Sequence, residues 1–187
     1  IELKRETDPH WLLAKLHKLT PLQTNFGAIL LALVGNQPRQ LTLREMLQQF
    51  LDFREQTLTR QYRHELERTE ERLHLLEGLL EALANLDDVI DILRHAPDGS
   101  TAKATFQQRF GFSDSQASAI LAMPMRRLTG LERQNLQQEF DELSQRRQEL
   151  QQLLSDRREL LKALKKELRS LRRKYGDQRR TRIITEE

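Results

Sequence analysis

The sequence predicts a mainly α fold: a long antiparallel coiled-coil hairpin with a small helical knob at its tip and a small α+β remnant at its base. Three observations predict it. Two long stretches, 41–96 and 131–176, carry no proline and a single glycine, Gly78, before the terminal Gly176. Leucines recur along both in alternating steps of four and three, the spacing of a coiled-coil seam. Between them lies a compact apolar block, SQASAILAMPMRRLTG (Ser115–Gly130), too short for a third long helix.

Composition agrees. Of 187 residues, 32% are charged and 37% hydrophobic, with only seven Gly and five Pro, as expected for long helices. The absence of cysteine excludes disulfides and Cys-ligated metals. No apolar run reaches membrane-spanning length and no signal peptide is visible, so a cytoplasmic setting without membrane contact is expected. The first residue is Ile, which is read as a fragment of a longer protein. Charge is segregated: residues 41–95 hold seven basic and twelve acidic side chains, residues 157–182 twelve basic and three acidic. Such opposed segments either pair with each other or offer the basic one to an anionic partner.

Residues 1–40 read as mixed α and β. IELK suits a short strand. A helix follows, with Thr7 or Asp8 as N-cap, Pro9 in the first turn, and Trp11, Leu12, Leu16 and Leu19 on one face. The run Ala28–Val34 reads as a buried strand ended by the Gly35-Asn36-Gln37-Pro38 turn. Thr42 and Glu45 then form a capping-box pattern, with Leu41 and Met46 placed as a hydrophobic staple. The outgoing helix of segment 41–96 uses Tyr62, Leu66, Thr69, Leu73, Leu76, Leu80 and Leu83 as its seam and runs to His95.

Pro97-Asp98-Gly99 opens the knob, 97–130. A short helix over 100–110 stops at Gly111, a Ser113/Gln116 capping box starts another, and Pro124 ends or kinks it. A third box, Thr129/Glu132, opens the returning helix. Its seam is Leu136, Phe140, Leu143, Arg147, Leu150, Leu154, Arg157, Leu161, Leu164, Leu168, Leu171 and Tyr175, with Ser155-Asp156 a local weak point and Gly176 the C-cap. Residues 177–187 form an exit segment.

Four blocks in order, TPLQTNFGAILLALVGNQPRQLTLREML, LEGLLEALANLDDVIDILR, FGFSDSQASAILAMPMRRLTGLE and KYGDQRRTRI, resemble the A subunit of bacterial DNA gyrase and its ParC-type relative in topoisomerase IV. The resemblance implies a fragment of an ATP-dependent type IIA topoisomerase, which changes supercoiling by double-strand passage. Segment 1–40 would be the end of the tower domain. The knob would be the exit gate, or C-gate, where two copies of the chain dimerise. Ile120, Leu121, Met123, Met125 and Leu128 would form the interface core, with Arg126 and Arg127 at its rim. Relatives read close to ILDMRLQRLTG here; Ala122, Pro124 and Met125 depart from that pattern.

The same resemblance places the catalytic tyrosine upstream. No catalytic residue, cofactor site or metal site is expected in this chain, ATP and Mg being bound by the partner B subunit. The implied partners are a second copy, the rest of the A subunit, double-stranded DNA and the B subunit. Arg169, Arg172, Arg173 and Lys174 are the candidate DNA-facing cations. Tyr62 and Tyr175 occupy seam positions and read as packing residues. The five histidines show no metal spacing, adjacent carboxylates such as Glu70 and Glu71 point apart, and no glycine-rich phosphate loop exists. The alternatives are a nucleic-acid-binding coiled-coil arm, as on some tRNA synthetases, whose tip would be rich in Lys and Arg where this one is apolar with two adjacent arginines, and a purely structural coil, which would not need three capping boxes and an apolar knob between the helices.

Overall fold

The structure, a computed structural model, describes residues 2–4, 7–124 and 130–184. The chain divides into two compact units, residues 1–51 and 52–187.

The first unit contains α1 (Pro9–Leu19), β1 (Leu31–Val34) and β2 (Gln37–Gln40). Asp8 is the N-cap of α1, its carboxylate accepting from the His10 N–H at 3.0 Å, and Pro9 sits where its missing N–H costs nothing. The two strands form an antiparallel hairpin, Leu31 opposite Gln40 and Val34 opposite Gln37. Gly35 and Asn36 both take positive φ (56° and 64°), which a tight two-residue hairpin turn demands. Residues 2–4 form no strand. The expectation of a buried strand is also corrected: Leu31 and Leu33 are 65% and 75% exposed. A two-stranded ribbon has one neighbour per strand and, among the described residues, nothing covers that face.

Helix α2 (Leu43–Ala84) opens with the expected capping box: the Thr42 N–H donates to Glu45 Oε2 at 2.7 Å and the Glu45 N–H to Thr42 Oγ1 at 3.3 Å. It ends sooner than expected. Asn85 leaves helical geometry (φ −114°, ψ 41°) and the chain restarts as α3 (Leu86–His95). The outgoing coil arm is therefore α2 alone, not a single helix to His95. The return is likewise two helices, α6 (Gly130–Ser155) and α7 (Arg157–Tyr175), parted at Asp156, whose carboxylate caps α7 through the Arg158 N–H at 2.8 Å.

From Asp52 onward α2 pairs antiparallel with α6 and α7. As numbers rise on α2 they fall on the return: Glu55 binds Arg157, Glu65 binds Arg146 and Arg72 binds Glu139. Arg54 with Glu167 adds a fourth cross-pair. Arg157 and Arg72 grip their carboxylates through two bonds each. All are partly solvated, so they set register more than they stabilise. The buried layer is apolar apart from Thr69: Leu58, Leu160 and Leu164 at one end, Leu76, Leu83 and Leu136 nearer the knob. Leu73, Leu76 and Leu150 are almost completely buried.

The seam departs from expectation past Asp156. Leu160 is buried where Leu161, 40% exposed, was expected, and Arg157 turns outward to Glu55. The non-helical residue at Asp156 shifts the first turn of α7; Leu164 and Leu168 keep their expected seam places, while Leu171 and Tyr175, also expected there, are exposed.

Candidate dimer interface at the knob

The knob is built by α3, α4 (Gly99–Phe110) and α5 (Asp114–Leu121) against the end of α2. Each helix boundary has a local cause. Asp98 caps α4, accepting from the Ser100 hydroxyl and the Thr101 N–H, both at 2.7 Å. Those bonds, the Ser100 hydroxyl first, hold its carboxyl down at about 2. Gly111 closes α4 in the left-handed region (φ 72°). Ser113 and Gln116 form a complete capping box on α5: the Gln116 N–H donates to Ser113 Oγ at 3.2 Å and the Ser113 N–H to Gln116 Oε1 at 2.9 Å. Helix α5 ends at Leu121, with Ala122 as its C-cap, before Pro124.

The core of the knob is Leu79, Ala82, Val89, Ile92, Ala102, Phe106, Phe112, Ala117 and Ile120. Phe106 is fully buried, and the Phe110 and Phe112 rings stack with centroids 5.3 Å apart. Two ion pairs bind the helices from outside, Arg109 to Asp88 at 2.6 Å and Lys103 to Asp114 at 2.7 Å.

The joint between coil and knob depends on Gly78. A Cβ there would lie 2.7 Å from Gln116 Cγ and 2.9 Å from its Cβ, so only glycine admits α5 this close to α2. Gln116 uses the approach: its Nε2 donates to the His74 carbonyl at 2.8 Å. His74 Nε2 lies 2.7 Å from Ser113 Oγ.

On the surface of the knob, α3 and the end of α5 enclose a groove of about 530 Å³. Leu86, Ile90 and Leu93 form one wall, Leu121 and Met123 the other, and Arg94 stands at the rim. Leu93 is 43% exposed, and Leu121 and Met123 are half-buried. The expected interface residues therefore divide. Ile120, 3% exposed, packs into the knob's own core and only its edge reaches the groove. Leu121 and Met123 line the groove; Met125, Arg126, Arg127 and Leu128 lie outside the described residues, as does Thr129 of the third capping box. The α3 wall was not anticipated, although Leu86, Val89, Ile90 and Leu93 follow helical i, i+3, i+4, i+7 spacing.

Of the candidate DNA-facing cations, Arg169, Arg172, Arg173 and Lys174 are all exposed on α7, Lys174 lying over the Tyr175 ring at 5.1 Å. Tyr62 packs beside Leu58 and Leu160 in the coil, and Tyr175 is exposed. Among the described residues no group of three or more His, Cys, Asp or Glu side chains could hold a metal ion, and no helix is long and apolar enough to cross a membrane.

A helical hairpin ending in a knob with an open apolar groove defines an arm that presents a contact surface at its tip. Comparison with known proteins places it. A family model for the A subunit of DNA gyrase/topoisomerase IV matches residues 1–169, and the chain belongs to that family. It is 59% identical to the A subunit of DNA topoisomerase 4 from Synechocystis sp. over 98% of this chain and 20% of the relative. It is 45% identical to the A subunit of DNA gyrase from Deinococcus deserti over the whole chain and 23% of that protein. The DNA gyrase A subunit of Synechocystis sp. is 50% identical over 76% of this chain and 17% of its own length. The chain thus spans about a fifth of the relatives it matches. Family membership leaves no place for the synthetase-arm alternative.

Proposed function

We propose that this chain is the exit-gate arm of the A subunit of a type IIA DNA topoisomerase, joining two such subunits through the knob. The observation that carries this reading is the groove between α3 and α5. It is apolar, open and edged by Arg94, the make-up of an interface core with a polar rim. A twofold contact would seat the α3–α5 face of one protomer on the same face of the other, each supplying Leu93, Leu121 and Met123. Methionine suits a surface that must part and re-form, because its flexible side chain repacks readily.

The coil gives the gate its place. Helix α2, at 42 residues, extends about 63 Å. A contact carried at the end of such an arm holds two protomers together at a distance from the site of cleavage, so the dimer survives while the DNA between them is cut. In the full enzyme the cleaving tyrosine belongs to the A subunit outside this segment, and the B subunit hydrolyses ATP with Mg. Residues 1–40 are then the tower end, α2 the outgoing arm, the knob from α3 onward the gate, and α6 with α7 the returning arm.

Sedimentation velocity of the chain at tens of micromolar tests the reading. A dimer is expected, converted to monomer by Leu121→Asp or Met123→Asp with the helical circular-dichroism signal unchanged. A wild-type monomer at that concentration refutes the gate. So do variants that lose helicity along with the dimer, since these residues would then serve the knob's own packing.

A further inference from the structure

The gate reading does not use the outer face of α7, which is where the charge segregation in the sequence comes to rest. Helix α7 holds nine basic and two acidic side chains. Both acids are engaged, Glu167 by Arg54 and Glu159 by Lys162. Lys165, Lys166, Arg169 and Arg173 make no ion pair among the described residues. Together with Lys162 and Ser170 they line one shallow groove of about 500 Å³. At 100° per residue they fall on a narrow stripe opposite the buried Leu160, Leu164 and Leu168. Its length from Lys162 to Arg173 is about 16 Å.

A solvated outer face needs no particular sign. The outer face of α6, on the same returning arm, is built of Gln with acids outnumbering bases, and the sign reverses at Asp156. The stripe also works against its own helix, because Lys162/Lys166, Lys165/Arg169 and Arg169/Arg173 are like-charge i, i+4 pairs, which destabilise.

We infer that this stripe is a sequence-independent docking surface for the phosphate backbone of double-stranded DNA. Its chemistry selects that partner. It presents no apolar anchor of the kind a protein partner needs at an interface core. It has no aromatic ring on which single-stranded bases could stack. Its one exposed flanking apolar side chain, Leu161 at 40%, is too little to enter a membrane. A duplex, with one charge for about every 1.7 Å of axis, offers a continuous row of acceptors along the whole stripe. The surface differs from the expected set in centring on Lys165, Lys166, Arg169 and Arg173; Arg172 lies at its edge and Lys174 off it. The choice of DNA rests on the topoisomerase reading above, while the stripe itself stands on geometry alone.

The test is fluorescence anisotropy of a labelled duplex of about 20 base pairs, titrated with the chain between about 50 and 200 mM salt. The Leu121→Asp background keeps self-association from contributing. Replacing Lys165, Lys166, Arg169 and Arg173 by Gln should reduce the slope of log K against log salt by roughly three to four, with helicity and thermal stability kept or raised. A control replacing Arg60, Arg63, Arg68 and Arg133 by Gln removes the same charge elsewhere and should change the slope by less than half as much. The inference is overturned by an unchanged slope in the α7 variant. It is also overturned by an equal fall in the control, or by polyglutamate displacing the duplex at equal charge concentration. None of these outcomes alters the sedimentation result, so the two readings fail separately.

Discussion

Gly78 offers the sharpest test of how coil and knob are joined. Replacing it by Ala has two opposed effects. In a helix interior Ala is favoured over Gly by about 1 kcal/mol. Against this, the new Cβ would sit 2.7 Å from Gln116 Cγ and 2.9 Å from Gln116 Cβ. These atoms stand close to the α5 backbone, so a side-chain rotation clears the first but not the second. Helix α5 must move by several tenths of an ångström, and overpacking of this kind costs about 1–3 kcal/mol. The displacement also strains the bond from Gln116 Nε2 to the His74 carbonyl and the capping box that Gln116 shares with Ser113. The expected net loss is about 1 kcal/mol, a fall of about 2–4 °C in Tm for a chain of this size. Thermal denaturation followed by far-ultraviolet circular dichroism reads this directly. Because α5 carries Leu121, with Met123 just beyond it, the same variant should also weaken self-association. A Gly78→Ala chain that melts higher than wild type, by the gain propensity alone predicts, would refute the close approach of α5 to α2.

Two other perturbations test the knob. Phe106→Ala empties the centre of its core, where the ring is fully buried, and should cost about 3–5 kcal/mol in urea or thermal unfolding. A loss under about 1 kcal/mol would mean that the core is not packed around that ring. The Asp98 cap gives a pH dependence. Its folded pKa, about 2, lies below the unfolded carboxylate value near 3.9, so its contribution is complete above pH ~4 and is lost as pH falls through about 2. Asp98→Asn still caps through its side-chain oxygen but cannot ionise, and should abolish this part of the acid sensitivity while leaving helicity at neutral pH intact.

Much of the fold could be read from local signals because their causes are local. The Asp8 cap, the Thr42/Glu45 and Ser113/Gln116 boxes and the Gly111 stop each involve residues within four positions of one another. The coil seam on α2 was equally legible, since Thr69, Leu73, Leu76 and Leu83 are all buried as their spacing requires. Helix interruptions were half legible. The weak point at Ser155-Asp156 is where α6 and α7 part. Asn85 gave no such signal, since a polar residue that is neither Gly nor Pro breaks a helix only where tertiary packing on both sides favours it. The missing burial of β1 has a related cause: an apolar run reports a wish for cover, not whether this stretch of chain supplies it.

The groove shows why the site was half visible. Leu121 and Met123 could be singled out from an apolar block that had no place in the coil. The facing wall was not, because Leu86, Ile90 and Leu93 fall within the stretch to His95 that reads as one uninterrupted coil helix. The break at Asn85 changes their meaning. It takes α3 off the coil, turns Val89 and Ile92 into the core of the knob, and leaves Leu86, Ile90 and Leu93 along an open edge. A gate depends on that division of one short helix. Residues turned inward give the knob a fixed shape without a partner, as Ile120 does on α5. Residues withheld from the core leave the knob's own stability almost untouched and so can be exposed and covered repeatedly. Leu93→Asp should therefore weaken association much as Leu121→Asp does, at little cost to Tm, whereas Ile92→Asp should unfold the knob.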